Sequence, residues 1–176
     1  MTGIDHLNRL NAAEAEVALL RCCGSTRWTG QMTTRLPFSD AIALFRCADE
    51  VWTDLSSEDW MEAFSGHPRI GDMESLRSRF ALTRGWSEGE QAGADGATDE
   101  DLHALAEGNE AYEDRFGYIF IVCATGKSAE EMLVLLNERL PNDPNTEIQI
   151  AAEQQRQITR LRLEKLLREF DAVYDE

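Results

Sequence analysis

One histidine of this sequence has the local context expected of an acid–base residue. His67 lies in the tripeptide Gly66-His67-Pro68, and proline disfavours a helical conformation of the residue before it. The imidazole exchanges protons near neutral pH, and a stiff loop between helices would preserve the direction of the ring. His67 is therefore a candidate catalytic residue. The alternative, a loop histidine with a structural role, is the commoner case for such a tripeptide.

A second candidate is the short segment Ser87-Glu88-Gly89-Glu90-Gln91. Ser87 and Glu90 have the spacing of a capping box, in which a hydroxyl and a carboxylate satisfy the first N–H groups of a helix. The same turn could direct the Glu90 carboxylate and the Gln91 carboxamide into a pocket, and a helix start offers free N–H groups to an anion. The structural and functional interpretations are compatible.

A third candidate lies in the last helical pattern of the chain. Ile158, Arg162 and Leu166 are spaced by four residues, so they share one stripe of a helix. Arg160 instead falls in line with Glu164, on a polar face. An arginine on an apolar stripe needs a partner, because burying an unpaired charge is costly. That partner could be a structural carboxylate or a bound carboxylate ligand.

The secondary structure around these candidate residues is predicted to be helical. Side chains that can cap a helix precede several apolar patterns of helical period. The predicted helices are one or two within residues 5–23 ending near Gly24, one after Ser39, one after Ser56 or Ser57, one after Thr98 with Asp101, one after Ser128 with Glu131, and one from about Thr146 to Phe170.

Three segments depart from the helical pattern. Residues 65–72 and 85–97 are rich in glycine or contain proline, and we expect loops there. The apolar run 116–124 resembles a buried strand, but no second convincing strand exists to pair with it. We expect a buried extended or helical connector. The fold class predicted from these patterns is all-α, with residues 1–176 forming a single-domain bundle of seven to nine helices.

Charge restricts the classes of partner. The 176 residues contain 17 Lys and Arg against 33 Asp and Glu, a formal net charge of −16. This charge repels phosphates, so we expect no nucleic acid and no anionic membrane surface as partner. An anionic small-molecule substrate would need a local arginine or lysine to hold it.

The sequence contains no clear pattern of a secretory signal, a membrane span or a metal site. Residues 1–20 include several charged side chains and do not resemble a secretory signal, and the longest apolar run, 118–124, is too short to span a membrane. The four cysteines form no CxxC pair, and no Cys/His cluster has zinc-ligand spacing. We expect buried thiols in a reducing cytoplasm and no bound metal.

Together these segments resemble the family of 2-oxo-4-hydroxy-4-carboxy-5-ureidoimidazoline (OHCU) decarboxylases of urate degradation. The resemblance covers nearly the whole chain in order, and its specificity comes from the combination of motifs. The matching stretches are 23–25 with Trp28, 60–64, the loop His67-Pro68-Arg69-Ile70-Gly71-Asp72, Trp86-Ser87 with Glu90-Gln91, Asn109 with Tyr112, Phe116-Gly117-Tyr118-Ile119-Phe120, 126–128, Arg139-Leu140, Glu153-Gln154 and Leu161-Arg162-Leu163.

The resemblance implies an all-α, often dimeric enzyme without metal or organic cofactor, which converts OHCU to (S)-allantoin with loss of carbon dioxide. It implies that His67 and Glu90 are catalytic. The substrate-binding residues that it implies are Pro68, Ser87, Gln91, Arg162 and, in a segment whose backbone lines the pocket, Phe116, Ile119 and Phe120.

Two other functions are compatible with this fold class. A non-enzymatic acidic helical module could bind a ureide or a partner protein, but it would be expected to lack His67 or Glu90, and both are present. An enzyme of the same fold could instead decarboxylate a related ureido acid, because the shape of the pocket decides between such substrates.

Overall fold

Eight α-helices make up most of the described chain. The computed structural model describes residues 2–67 and 98–172. The helices are α1 (Gly3–Leu7), α2 (Ala12–Cys23), α3 (Thr26–Thr34), α4 (Ala41–Thr53), α5 (Ser57–Ser65), α6 (Asp99–Phe116), α7 (Ala129–Arg139) and α8 (Pro144–Ala172). Neither described range contains a β-strand. The prediction of an all-α fold is confirmed.

The chain divides into two compact units. One comprises the chain up to Gly66 together with α8 from Ala152 onward, and the other comprises His67–Ala151. The long helix α8 therefore contributes its first two turns to the second unit, His67–Ala151, and the rest of its length to the first.

The core of the first unit is built from α2, α3, α4, α5 and α8. Its fully buried side chains include Leu19, Trp28, Met32, Leu44, Val51, Phe64 and Leu163. Buried indoles need an acceptor for their N–H group. Trp28 Nε1 donates to the carbonyl of Ala48 at 3.1 Å, and Trp52 Nε1 donates to the carbonyl of Ala152 at 3.0 Å.

Helix α3 was not among the predicted helices. It begins at the N-cap Ser25, whose hydroxyl accepts from the Trp28 N–H at 3.3 Å. Four of its nine residues are threonines, and a further one is Gly30, so its intrinsic helix propensity is low. The burial of Trp28 and Met32 offsets that disadvantage.

Three predicted helix starts coincide with observed capping residues. Ser56, and not Ser57, caps α5, and Thr98 and Ser128 form capping boxes at α6 and α7. The prediction for α4 was wrong by one residue, because Asp40 is the N-cap, and its carboxylate accepts from the Ala43 N–H at 2.7 Å. A carboxylate at this position also interacts favourably with the helix dipole.

Helix α8 begins two residues before the predicted Thr146 and ends two residues after Phe170. Pro144 occupies its first position, where the missing N–H group costs no hydrogen bond. The Asp143 carboxylate accepts from the Asn145 N–H at 2.9 Å, so it satisfies one of the first backbone donors.

In the second unit, helices α6 and α7 pack closely. A Cβ atom on Gly108 would lie 2.1 Å from Leu136 Cδ2, so glycine allows the approach of α7 at this point. Leu102, Leu105, Met132 and Leu136 are buried between them. Of the helices described, none is both long and apolar enough to cross a membrane.

Candidate functional site

The described residues contain only part of the predicted site. His67 directly follows Gly66, the C-cap of α5, and is half-buried. Pro68, Ser87, Glu90 and Gln91 lie outside the described residues, so their roles stay predictions.

The predicted pocket-lining segment begins at the end of α6. Phe116 is the last residue of this helix, and Gly117 follows with a φ of 79°, a left-handed conformation that glycine adopts without steric cost. The chain from Tyr118 to Ala124 then has no regular secondary structure. Ile119 is half-buried and Phe120 is 3% exposed. The prediction of a buried connector is confirmed, except that Phe116 belongs to the helix.

A buried ion pair lies directly behind this connector. Arg139, the last residue of α7, and Glu147, in the first turn of α8, have side chains that are 8% and 0% exposed. Arg139 Nε donates to Glu147 Oε1 at 2.8 Å, and Nη2 lies 2.6 Å from the same oxygen. The Tyr112 hydroxyl also donates to Oε1, and Asn142 Nδ2 donates to Oε2 at 2.7 Å. The carboxylate is thus surrounded by donors, as a buried charge requires.

The same guanidinium holds the connector. Arg139 Nη1 donates to the carbonyl of Ile121 at 2.7 Å. Its Cζ atom lies 4.6 Å from the centre of the Phe120 ring and 5.8 Å from that of Tyr112. An extended segment without a partner strand must satisfy its buried carbonyls in another way. Here a side chain from α7 supplies the donor.

Aromatic rings fill the space around this ion pair. The Tyr112 ring lies 4.6 Å from that of Phe116, 5.9 Å from that of Tyr118 and 5.1 Å from that of Phe120, in tilted or edge-on arrangements. Burial, followed by the hydrogen bond to Glu147, raises the pKa of Tyr112 well above its ordinary value. The phenol therefore remains protonated and acts as a donor at neutral pH.

Arg162 lies on α8 in the part that belongs to the first unit. It is half-buried between the half-buried Ile158 and the buried Leu166, so the predicted stripe runs along the border of the core. One of its contacts is a 3.5 Å hydrogen bond from Nη1 to the carbonyl of Cys22. Its role as an anchor for the substrate stays a prediction.

Arg160 lies on the polar face of α8, where the sequence places it. Its Nε donates to Glu164 Oε1 at 2.9 Å, and its Cζ atom lies 3.7 Å from the centre of the Phe45 ring. Its guanidinium is therefore engaged on the surface of the first unit.

Sequence reasoning did not assign a role to the Arg139–Glu147 pair. A signal for Arg139 existed, because it lies three residues after Leu136 and seven after Met132, on the apolar stripe of α7. The same spacing argument places Arg162 on the apolar stripe of α8. No comparable signal marks Glu147, since an acidic residue near a helix start is usually solvated and favoured by the helix dipole.

The described candidates supply an imidazole, a guanidinium and an aromatic segment. These groups can exchange a proton, hold a carboxylate and exclude water, respectively. No group of three or more His, Cys, Asp or Glu side chains within the described ranges could hold a metal ion.

Comparison with protein families gives one match over most of the chain. The model of the OHCU decarboxylase family matches residues 8–164. The uric acid degradation bifunctional protein TTL of Arabidopsis thaliana is 40% identical over 158 residues, which are 88% of this chain and 48% of that protein. The 2-oxo-4-hydroxy-4-carboxy-5-ureidoimidazoline decarboxylase of Amia calva is 35% identical over 102 residues, 57% of each chain. This chain thus spans about half the length of these curated relatives.

The fold is also similar to that of solved structures. A crystal structure of OHCU decarboxylase in the presence of (S)-allantoin matches with a TM-score of 0.69 and 37% sequence identity. The match covers 84% of this chain and 95% of that one.

Proposed function

This chain belongs to the OHCU decarboxylase family, and from that membership we propose that it converts OHCU to (S)-allantoin and carbon dioxide in urate degradation. The observation that carries the proposal is the extent of the family match. Residues 8–164 include every residue assigned a role here, from His67 to Arg162.

The chemistry of the substrate is compatible with catalysis by side chains alone. One ring carbon of OHCU bears both the carboxylate and a hydroxyl, next to a C=N bond. When the bond to the carboxylate breaks, its electron pair moves into the ring and towards the imine nitrogen, and an enol-like intermediate forms. The former imine nitrogen takes up a proton, the hydroxyl loses its proton and becomes the ring carbonyl, and a second proton is added to the carbon that bears the ureido group.

His67 and Glu90 are the proposed proton-handling residues. His67 hydrogen-bonds the substrate hydroxyl or carboxylate and helps to move the hydroxyl proton. Glu90 holds or relays a proton, so that protonation of the intermediate takes place on one face. Addition on one face is what would give a single enantiomer of allantoin.

The other candidates bind and orient the substrate. Arg162 anchors its anionic or ureido part, which offsets the repulsion from a protein of net charge −16. The hydroxyl of Ser87 and the carboxamide of Gln91 orient the ureido and ring amide groups. The remaining lining residues in this proposal are Pro68, Phe116, Ile119 and Phe120.

The activity is tested with OHCU generated in place from urate by urate oxidase and hydroxyisourate hydrolase. Circular dichroism follows the formation of chiral allantoin with and without this protein. Rapid formation of the (S) enantiomer supports the proposal. A trace equal to the slow spontaneous decay, from folded protein, contradicts it and leaves a binding module or a related ureido acid as the next hypothesis.

The role of His67 is tested by His67→Ala. We expect loss of most of the acceleration, about a hundredfold or more for an acid–base residue, with unchanged far-UV circular dichroism. His103→Ala is the matched control, because His103 is exposed and its Nδ1 atom contacts only the carbonyl of Asp99 among the contacts described, at 2.7 Å. Near wild-type activity of His67→Ala would refute the assignment.

We also propose that the protein forms a homodimer, as the family resemblance implies. Exposed apolar side chains offer surfaces for association, among them Ile42 at 77% and Val17 at 66% exposure. Sedimentation velocity at micromolar concentration tests this, and a monomer over that range would overturn it.

A cytoplasmic location is proposed from the state of the cysteines. All four are buried free thiols, which is typical of proteins in a reducing compartment. Fractionation of the cells that make the protein tests the location.

A further inference from the structure

Hydrogen bonds from side chains hold two carbonyls of the connector, residues 117–124. Lys127 Nζ donates to the carbonyl of Cys123 at 2.8 Å, near the end of the connector. In its middle, the carbonyl of Ile121 accepts from Arg139 Nη1 at 2.7 Å. This bond joins the residue after Phe120 to the end of α7.

The geometry of Arg139 leaves its guanidinium little freedom. Its three nitrogen atoms donate in different directions, to the Glu147 carboxylate, to the Tyr112 hydroxyl at 3.2 Å and to the Ile121 carbonyl. Its Cζ atom lies 4.6 Å from the centre of the Phe120 ring. The planar guanidinium can make these contacts together because its donors are fixed relative to one another. A lysine at this position could not, since its ammonium is a compact charge on a flexible chain.

Glu147 in turn determines where the guanidinium lies. Its side chain is fully buried, and both of its oxygens accept hydrogen bonds. Displacing Arg139 would leave a buried carboxylate without its counter-charge, which is strongly unfavourable. The pair therefore fixes the position from which the connector is held.

We infer that Arg139, oriented by Glu147, is a positioning residue for the reaction, which holds the Phe116–Phe120 segment in the conformation that lines the substrate pocket. The inference rests on the proposed function, because it takes this segment as part of the pocket. Arg139 acts through the Ile121 carbonyl and the Phe120 ring, and no contact with substrate is assigned to it.

The test compares Arg139→Lys with Arg156→Lys in the full chain. Arg156 is a suitable control because it also bridges two carboxylates, with Nη1 at 3.0 Å from Asp49 and Nη2 at 2.8 Å from Glu153. Its side chain is 36% exposed and has no role in the proposed site. The kcat/KM per folded molecule is measured with freshly generated OHCU, well below the unfolding temperature of each variant.

We expect Arg139→Lys to lower kcat/KM by roughly ten- to hundredfold, since a small displacement of a pocket segment costs that much. Arg156→Lys should change it by less than about twofold, as expected for a partly exposed ion pair. Hydrogen exchange, read on the peptide covering residues 116–124, should be faster in Arg139→Lys and unchanged in Arg156→Lys.

Tyr112→Phe provides a second test in case Arg139→Lys does not fold. It removes the hydroxyl between Arg139 and Glu147 and keeps the ring, so we expect a smaller loss of kcat/KM, about two- to tenfold. Wild-type kcat/KM in the folded variants, even with faster exchange, would overturn the inference and leave Arg139 a purely structural role. An inactive wild-type protein would instead overturn the proposed function, and the inference with it.

Discussion

Two arginines of α8, separated by one residue, have different surroundings. Arg162 is half-buried beside the carbonyl of Cys22, whereas Arg160 is paired with Glu164 and stacked on Phe45. The helical period turns these neighbours towards different faces, so the difference follows from spacing. Only Arg162 is predicted to bind substrate.

Replacing each arginine by methionine should separate the two roles. Arg162→Met is expected to lower kcat/KM by about ten- to hundredfold, because a hydrogen bond to a charged group contributes about 1.5–3 kcal/mol. Arg160→Met should lose only an exposed ion pair and a stacking contact, about 1 kcal/mol of stability. Steady-state kinetics with thermal melts measures both. An equal loss of kcat/KM in the two variants would contradict the assignment.

Two adjacent cysteines of α2 make the free energy of unfolding depend on pH in the alkaline range. Burial raises the pKa of Cys22 from 9.0 to about 11 and that of Cys23 to about 12. Above pH 9 the thiols of the unfolded chain lose their protons, whereas those of the folded protein keep them. The free energy of unfolding therefore decreases as pH rises. This contribution to stability is complete below pH 9 and is lost as pH increases through the folded-state values.

Urea unfolding at several pH values tests this contribution. The free energy of unfolding should decrease above pH 9 with a slope of up to about 1.4 kcal/mol per pH unit for each thiol. Cys22→Ala should reduce that slope between pH 9 and 10, and because both proteins contain the same tyrosines, the difference between their slopes reports the thiol. Identical slopes in the wild type and the variant would show that Cys22 does not contribute.

At the level of elements, short-range hydrogen bonds determine where several helices begin. In α5 the hydroxyl of Ser56 accepts from the Asp59 N–H at 3.4 Å, and the Asp59 carboxylate accepts from the Ser56 N–H at 3.0 Å. Such a box needs only residues three apart, so it can be recognised in the sequence. The neighbouring Ser57 has the same side chain but lies within the helix and is exposed.

Ser56→Ala and Ser57→Ala form a matched pair. Ser56→Ala should cost about 1 kcal/mol of unfolding free energy, since it removes an N-cap. Ser57→Ala should be neutral or slightly stabilising, because alanine has the higher helix propensity. Chemical denaturation measures both, and a larger loss for Ser57→Ala would be inconsistent with the observed cap.

Two elements could not be predicted from local pattern alone. Helix α3 contains many residues of low helix propensity, and its stability comes from the burial of Trp28 and Met32. The run 118–124 has the composition of a strand, but residues 2–67 and 98–172 contain no strand that could pair with it, and a side chain of α7 binds its backbone. In both cases packing against other elements overrides the local preference.

For the whole molecule, the net charge of −16 is a source of self-repulsion. Surface charges repel one another over distances that salt shortens, from about 30 Å at 0.01 M ionic strength to about 3 Å at 1 M. Buried pairs such as Arg139–Glu147 are screened much less. Added salt should therefore weaken repulsion more than it weakens this attraction.

The unfolding temperature is accordingly expected to rise by several degrees between roughly 0.01 M and 0.5 M sodium chloride at pH 7. Differential scanning fluorimetry measures this, with sucrose of equal osmolality as the control for solvent exclusion. A decrease with salt would mean that attractive ion pairs outweigh the repulsion.

The all-α class, several helix starts and the family resemblance can be predicted from the amino-acid sequence. These depend on residue types and on spacings of three or four positions, which act through local hydrogen bonds and helical period. It also placed Arg162 and Arg160 on different faces of α8. The roles of His67 and Glu90 follow from the resemblance and stay predictions.

The surroundings of the connector depend on contacts between helices that are distant in the sequence. Arg139, Glu147 and Tyr112 come from three helices, and their contacts join residues 8 to 35 positions apart. No local pattern specifies such a network, because a buried charge depends on donors that other elements bring to it. The conformation of the Phe116–Phe120 segment is set by packing of helices around one ion pair.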